Sequence, residues 1–246
     1  MPWLRRQYEI SCDYEIVSEE VARRRRSDGW LRGATALRQE RAYANLLAEM
    51  RAGSPRIDLR VASEAVDRLG RERVTLLEVG CGSGYYSEVF SLLPKTTVEY
   101  VGLDYSPAMI ARARKRYPGA KFDQGDATAL AFSDCAFDVV FNGVSLMHIL
   151  DYGKAIAESA RLARAACIFH SVPVFPHHQT VYIRKYAYGS PVVEIVFNRD
   201  ALISVFERHG LSMLQSWESI PYGVSELTQE PSRAETFLCI PKRVCT

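Results

Sequence analysis

From residue 74 onward, short apolar runs at 74–79, 98–103, 120–122, 137–141 and 166–172 alternate with segments of helical periodicity. Apolar runs of that length bounded by turn residues predict strands, and their alternation with helices predicts a parallel sheet with crossover connections. The helices are well punctuated. Ser106 and Pro107 fit the N-cap and first helical position of one, Pro94 ends another, and Asp151 opens a helix running through Leu162. Five β/α units are expected.

The two ends of the chain depart from this pattern. Residues 198–209 read as a helix stopped by Gly210, followed by strands at 211–217 and 235–241 with no helix between them, hence a hairpin. The order predicts an α/β fold: a doubly wound, seven-stranded, mostly parallel sheet with an antiparallel last strand. Residues 173–197 are too long for a simple connection and read as an insertion near the site. Residues 1–72 read as an N-terminal helical cap or lid of three helices, at 17–26, 35–50 and 57–69, ahead of a core at 73–246. In the second helix Tyr43, Leu46, Leu47 and Met50 recur at helical spacing between the start signal Thr35 and the stop signal Gly53. The run Arg23 to Arg26 beside Glu19 and Glu20 reads as a solvated face, with a grip on phosphate or an acidic substrate as the alternative.

Composition narrows the classes. A chain of 246 residues, 48% hydrophobic, can bury one large core. Its net charge of +2 lacks the excess of Lys and Arg that nucleic-acid binding demands, so a small-molecule partner is expected and no nucleic acid. The six cysteines include no C-x-x-C pair and read as reduced thiols. No apolar leader opens the chain, and no run approaches the roughly 18 apolar residues of a membrane span. A soluble, cytoplasmic monomer or homodimer without membrane contact is expected.

The chemistry concentrates at residues 76–90, where Leu-Leu-Glu-Val-Gly-Cys-Gly-Ser-Gly-Tyr-Tyr joins a strand to a helix start. Glycines at 80, 82 and 84 permit positive φ and close approach of a ligand, and the helix start near Ser83 directs free N–H groups at it. A dinucleotide fingerprint, G-x-G-x-x-G, would need a third glycine at position 85, which is Tyr85. The next strand ends at Asp104, placed to accept hydrogen bonds from a ribose diol. The third leads into Asp126-Ala-Thr, and the fourth into Asn142-Gly-Val-Ser-Leu-Met-His148.

Taken together, residues 74–172 resemble the class I S-adenosylmethionine-dependent methyltransferases, in particular the small-molecule group called type 11. The resemblance implies a Rossmann-like core. It implies that Glu78 and the loop Gly80, Cys81, Gly82 and Gly84 hold the methionine end, with Tyr86 or Tyr85 lining that pocket. Asp104 would hold the ribose, with Tyr105 and Met109 beside it; Asp126 would read the adenine amino group next to Ala127; Asn142 would begin the loop under the sulfonium. The implied reaction is in-line attack on a sulfonium methyl, which needs alignment and dryness and no metal.

An oxygen nucleophile profits from a base, and His148, just past the fourth strand, is the first candidate; the alternative is a histidine packed on the cap. His170, His177 and His178 follow the fifth strand at no standard zinc spacing, so substrate contact is weighed for His170 and His177 and a metal is not expected. Tyr182, Arg184, Lys185, Tyr186 and Tyr188 suit an aromatic or anionic substrate, or equally a solvated hairpin. Tyr8, Tyr14, Trp30 and Arg38 are cap residues able to close over the site. The expected activity is transfer of a methyl group to oxygen or nitrogen of a small molecule. The alternatives are an NAD(P)-dependent oxidoreductase, a nucleic-acid or protein methyltransferase, for which the loop lacks the Asn-Pro-Pro-Tyr pattern, and a cofactor-binding scaffold without this chemistry.

Overall fold

The computed structural model of the protein describes residues 14–24 and 28–243. Its strands are β1 (Glu15–Val17), β2 (Arg73–Val79), β3 (Thr97–Asp104), β4 (Lys121–Gln124), β5 (Phe137–Gly143), β6 (Ala163–Phe175), β7 (Val181–Ala187), β8 (Ser190–Asn198), β9 (Leu211–Tyr222) and β10 (Ser232–Pro241). Its main helices are α1 (Glu19–Arg24), α2 (Gly33–Arg51), α3 (Ile57–Asp67), α4 (Tyr85–Leu92), α5 (Pro107–Arg116), α6 (Tyr152–Leu162) and α7 (Arg199–Arg208).

Strands β4, β3, β2, β5 and β6 pair in that order, all parallel. Strand β10 then lies antiparallel between β6 and β9. These are the seven strands expected from the sequence. The sheet has three more among the described residues, because β6 runs on to Phe175 and pairs there with β8, which carries β7 and then β1 in antiparallel register. The 173–197 segment is thus a hairpin. Its two-residue turn, Tyr188-Gly189, holds positive φ of 51° and 72°, the conformation that matches strand twist in tight hairpins. Arg38 on α2 secures it by donating from Nη1 to the Tyr188 carbonyl at 2.8 Å.

Helices cover both faces, which is why the central strands read as unbroken apolar runs. Side chains alternate across the sheet: Leu77, Val79, Val140, Cys167 and Phe169 pack with Ile156 of α6 and Phe206 of α7. Leu76, Val139, Phe141 and Ile168 face Leu46 of α2, Leu59 of α3 and Val89 of α4. The N-terminal helices α2 and α3 therefore share the core of the sheet.

Three expectations need correction. Val17 ends a strand paired with β7, and the first helix begins at Glu19, because a three-residue edge strand has no periodicity to set it apart from the helix that follows. In it Arg23 pairs with Glu19 and Asp151, and Arg24 with Glu20, while Arg25, Arg26, Tyr8, Cys12 and Cys245 lie outside the described residues. The seven-strand count becomes ten, as above. Cys81, Cys167 and Cys239 are free and buried, but Cys135 is disulfide-bonded, a pairing that local spacing does not encode. No helix among the described residues is long and apolar enough to cross a membrane.

Candidate functional site

The carboxyl ends of β2, β3, β4 and β5 open onto one cavity of about 770 Å³, lined by Gly80–Gly82, Leu103–Tyr105, Gly125–Ala127 and Gly143–Ser145. Parallel α/β sheets place ligands at this edge. The turn after β2 is tied to its neighbour by two backbone bonds, Gly80 N and Cys81 N each donating to the Leu103 carbonyl, at 2.7 and 2.9 Å. Gly80, Gly82 and Gly84 all hold positive φ. A Cβ on Gly84 would stand 2.7 Å from the Phe122 ring, so the turn also requires glycine there for packing.

Asp104, 7% exposed, is clamped from both sides: Oδ2 accepts from Gly82 N and Oδ1 from Ser106 N, each at 2.8 Å. Burial nonetheless outweighs these bonds and pushes its carboxyl up to about 6. Across the turn, Ser83 N donates to Oε1 of Gln39 on α2 at 3.1 Å, so a side chain from the N-terminal region meets the start of α4.

Of the sequence-derived candidates, Gly80, Cys81, Gly82, Asp104, Tyr105, Met109, Asp126, Ala127, His148, Tyr14, Trp30 and Tyr186 line this cavity. The others do not. Glu78 lies 1% exposed beneath the floor, its Oε2 accepting from the Tyr100 hydroxyl and its Oε1 unpartnered among the described residues, and burial pushes it up to about 8. Gly84 faces Phe122, and Tyr86 is enclosed by Phe90 and Phe141; Tyr85, stacked on Tyr43 at 4.1 Å, takes the wall instead. Asn142 points to the opposite side of β5, where Nδ2 donates to Ser159 Oγ at 3.1 Å. Strand alternation puts it there and leaves Gly143–Ser145 as the wall.

His170 is fully buried, bonded through Nδ1 to Thr236 Oγ1 at 2.8 Å and stacked on Phe141, with burial pushing it down to about 4. It is a core histidine. His177 is exposed and contributes only its backbone N–H, to Glu230. Neither reaches the cavity, and among the described residues no group of His, Cys, Asp and Glu is arranged to hold a metal.

Beyond the strand ends the cavity continues into a second lobe walled by Tyr14, Trp30, His148, Lys185, Tyr186, Tyr188 and Glu194. His148 Nδ1 lies 3.1 Å from the Val193 carbonyl; a carbonyl only accepts, so Nδ1 carries the proton and Nε2 keeps its lone pair. Burial holds this ring below the usual histidine range, against the pull of Glu194. Glu194 pairs with Lys185 at 2.7 Å and accepts from the Tyr222 hydroxyl.

Residues 77–169 match the family model described as Methyltransferase domain. Residues 77–169 are a methyltransferase domain, and over that stretch the chain is similar to S-adenosylmethionine-dependent methyltransferases. A protein of Mycolicibacterium smegmatis named "Probable S-adenosylmethionine-dependent methyltransferase" is 33% identical over 94 residues, 38% of this chain and 35% of that protein. The demethylmenaquinone methyltransferase of Renibacterium salmoninarum is 31% identical over 138 residues, 54% of this chain and 56% of its own. The chain thus spans from about a third to just over half of these relatives. The Burkholderia thailandensis 1,6-didemethyltoxoflavin-N1-methyltransferase, solved with 1,6-didemethyltoxoflavin and S-adenosylhomocysteine, superposes with a TM-score of 0.56 at 17% identity over 85% of this chain and 89% of that one. That likeness establishes the fold.

In the methyltransferase domain the first lobe stands on the strand ends, and most of the second is supplied from outside residues 77–169. Gln39, Tyr43 and Glu194 enter the wall without having been singled out as site residues, whereas Tyr85 and Lys185 had been weighed for it. For Glu194 a signal existed: it is one carboxylate inside the apolar run Val-Val-Glu-Ile-Val. Gln39 has none, lying on an ordinary polar face of α2.

Proposed function

We propose that the chain transfers the methyl group of S-adenosylmethionine to an oxygen or nitrogen of a small-molecule acceptor. The observation that carries this reading is the convergence of Gly80–Gly82, Asp104 and Asp126 on one cavity at adjacent strand ends. The donor set fits the cofactor. Asp104 offers a fixed carboxylate to a ribose diol, Leu103 and Met109 offer apolar surface to a base, and Asp126, steadied by Thr128 N and Oγ1 at 2.8 Å, offers an acceptor to an amino group. The glycine turn, the start of α4 and Gln39 suit the methionine end. S-adenosylmethionine, when bound, supplies an electrophilic methyl: the bond to the acceptor forms as the carbon–sulfur bond breaks and its electron pair stays on sulfur.

The chain's own tasks are orientation, exclusion of water and handling of one proton. Nε2 of His148 is a neutral imidazole lone pair on the wall of the second lobe, suited to take the acceptor's proton. The N-terminal segment shields the cavity. Ser106 Oγ donates to the Trp30 carbonyl at 2.7 Å, Arg112 pairs with Glu40, and Thr35 bonds Ser190 at 2.7 Å, so the cap is tied to the first lobe and to the hairpin.

The test is formation of S-adenosylhomocysteine from S-adenosylmethionine with a panel of oxygen and nitrogen acceptors. His148→Ala should lower turnover by about 10²- to 10⁴-fold and leave affinity for S-adenosylhomocysteine unchanged. Full turnover in that variant would make His148 structural, and NADH oxidation coupled to reduction of an added carbonyl compound, without methyl transfer, would replace the reading by an oxidoreductase.

A further inference from the structure

Resting on the methyltransferase reading, we propose that the second lobe recognises a primary amino group on a planar ring, one N–H held at Nε2 of His148 and the other at Oε1 of Glu194. Nε2 is an acceptor because Nδ1 donates to Val193. Glu194 has its other oxygen, Oε2, engaged by the Lys185 ammonium at 2.7 Å and by the Tyr222 hydroxyl. Its Oε1 stands 3.9 Å from Nε2, and both residues are on the cavity wall.

Two acceptors at that separation cannot bond each other while the imidazole is neutral. Each needs a donor from whatever enters. A hydroxyl carries one hydrogen, so it satisfies one and turns a lone pair toward the other, which beside the buried Glu194 is a repulsive, unpaired contact. A primary amino group carries two hydrogens and satisfies both. Its lone pair is then left in the remaining direction, free to act as nucleophile, and Nε2 already accepts a hydrogen bond from the proton that the nitrogen must lose.

The surroundings select the kind of amine. Lys185 balances the charge of Glu194, and its ammonium lies over the rings of Tyr14 and Tyr222 at 5.3 and 5.5 Å, so Glu194 offers no uncompensated negative charge to an alkylammonium ion. A neutral aromatic amine suits it better. The Trp30 ring stands edge-on to His148 at 4.8 Å and to Tyr188 at 5.9 Å, and with Tyr186 these rings make apolar walls for a flat substituent.

The experiment is calorimetric titration of 2-naphthylamine, N,N-dimethyl-2-naphthylamine, 2-naphthol and 2,3-dihydroxynaphthalene into the full chain, after S-adenosylhomocysteine has been titrated in the same cell. The expected result is that 2-naphthylamine binds about tenfold tighter than each of the other three, and that Glu194→Gln shrinks the margin over 2-naphthol to less than about threefold. Equal or tighter binding of 2-naphthol or of the diol, no binding of 2-naphthylamine, or an unchanged margin in a folded Glu194→Gln protein would each overturn the proposal. The ratios in the unaltered protein decide it even where the variant fails to fold. If S-adenosylhomocysteine binds and the amine shows no preference, only this recognition fails. If S-adenosylhomocysteine does not bind, the methyltransferase reading fails, and the amine ratios still decide the chemistry of the lobe.

Discussion

Glu78 and Asp104 sit one strand apart under the same cavity, and both are carboxyls whose burial costs more than their hydrogen bonds return. Glu78 is pushed up to about 8 by desolvation, against the Tyr100 hydroxyl that favours its charged form, with Asp104 adding a smaller push upward. In the folded chain it therefore keeps its proton up to about pH 8, whereas in the unfolded chain it releases it above its ordinary value of 4.5. The unfolded state binds fewer protons across that interval, so this group lowers stability as pH rises from about 4.5 to about 8 and has no further effect above. Glu78→Gln cannot ionise. Relative to the unaltered protein it should gain about 2 to 4 kcal/mol between pH 5 and pH 8, read by urea unfolding at both values. Parallel stability curves for the two proteins would show that Glu78 is already ionised in the fold.

At the level of elements, the strand-turn-helix unit from β2 to α4 is the part most constrained by sterics. Gly84 has φ of +83°, and a Cβ there would meet Phe122 at 2.7 Å and Ala113 at 3.0 Å. Gly84→Ala should cost about 2 to 4 kcal/mol, from left-handed backbone strain plus overpacking, with an unchanged denaturant slope. Gly119→Ala, where a Cβ meets nothing within 4 Å, should stay within about 0.5 kcal/mol, and a similar loss at both positions would contradict the packing argument. The same unit explains what could be read from the sequence. Strands buried on both faces are continuous apolar runs, and the glycines, Ser106 and Pro107 mark where they turn. Strand β1 is three residues at an edge, too short for a period, and the β7–β8 turn uses Tyr188-Gly189 where Asn-Gly would have announced a hairpin.

For the whole molecule, the two lobes of the cavity differed in legibility for a topological reason. The first is built from residues that directly follow strands, so Gly80, Asp104 and Asp126 sit at positions fixed by chain order. The second is assembled from Tyr14, Trp30, His148 and the hairpin, segments far apart in sequence that only the fold brings together. His148 and His170 show the difference: one follows β5 and faces the cavity, the other lies within β6 and fills the core beside Thr236. The most direct test is calorimetric titration of the full chain with S-adenosylhomocysteine and, separately, NADH. The expected result is one S-adenosylhomocysteine site per chain, weakened about 10- to 100-fold by Asp104→Ala, and no heat from NADH. Binding of NADH with none of S-adenosylhomocysteine, or equal S-adenosylhomocysteine affinity in Asp104→Ala, would contradict it.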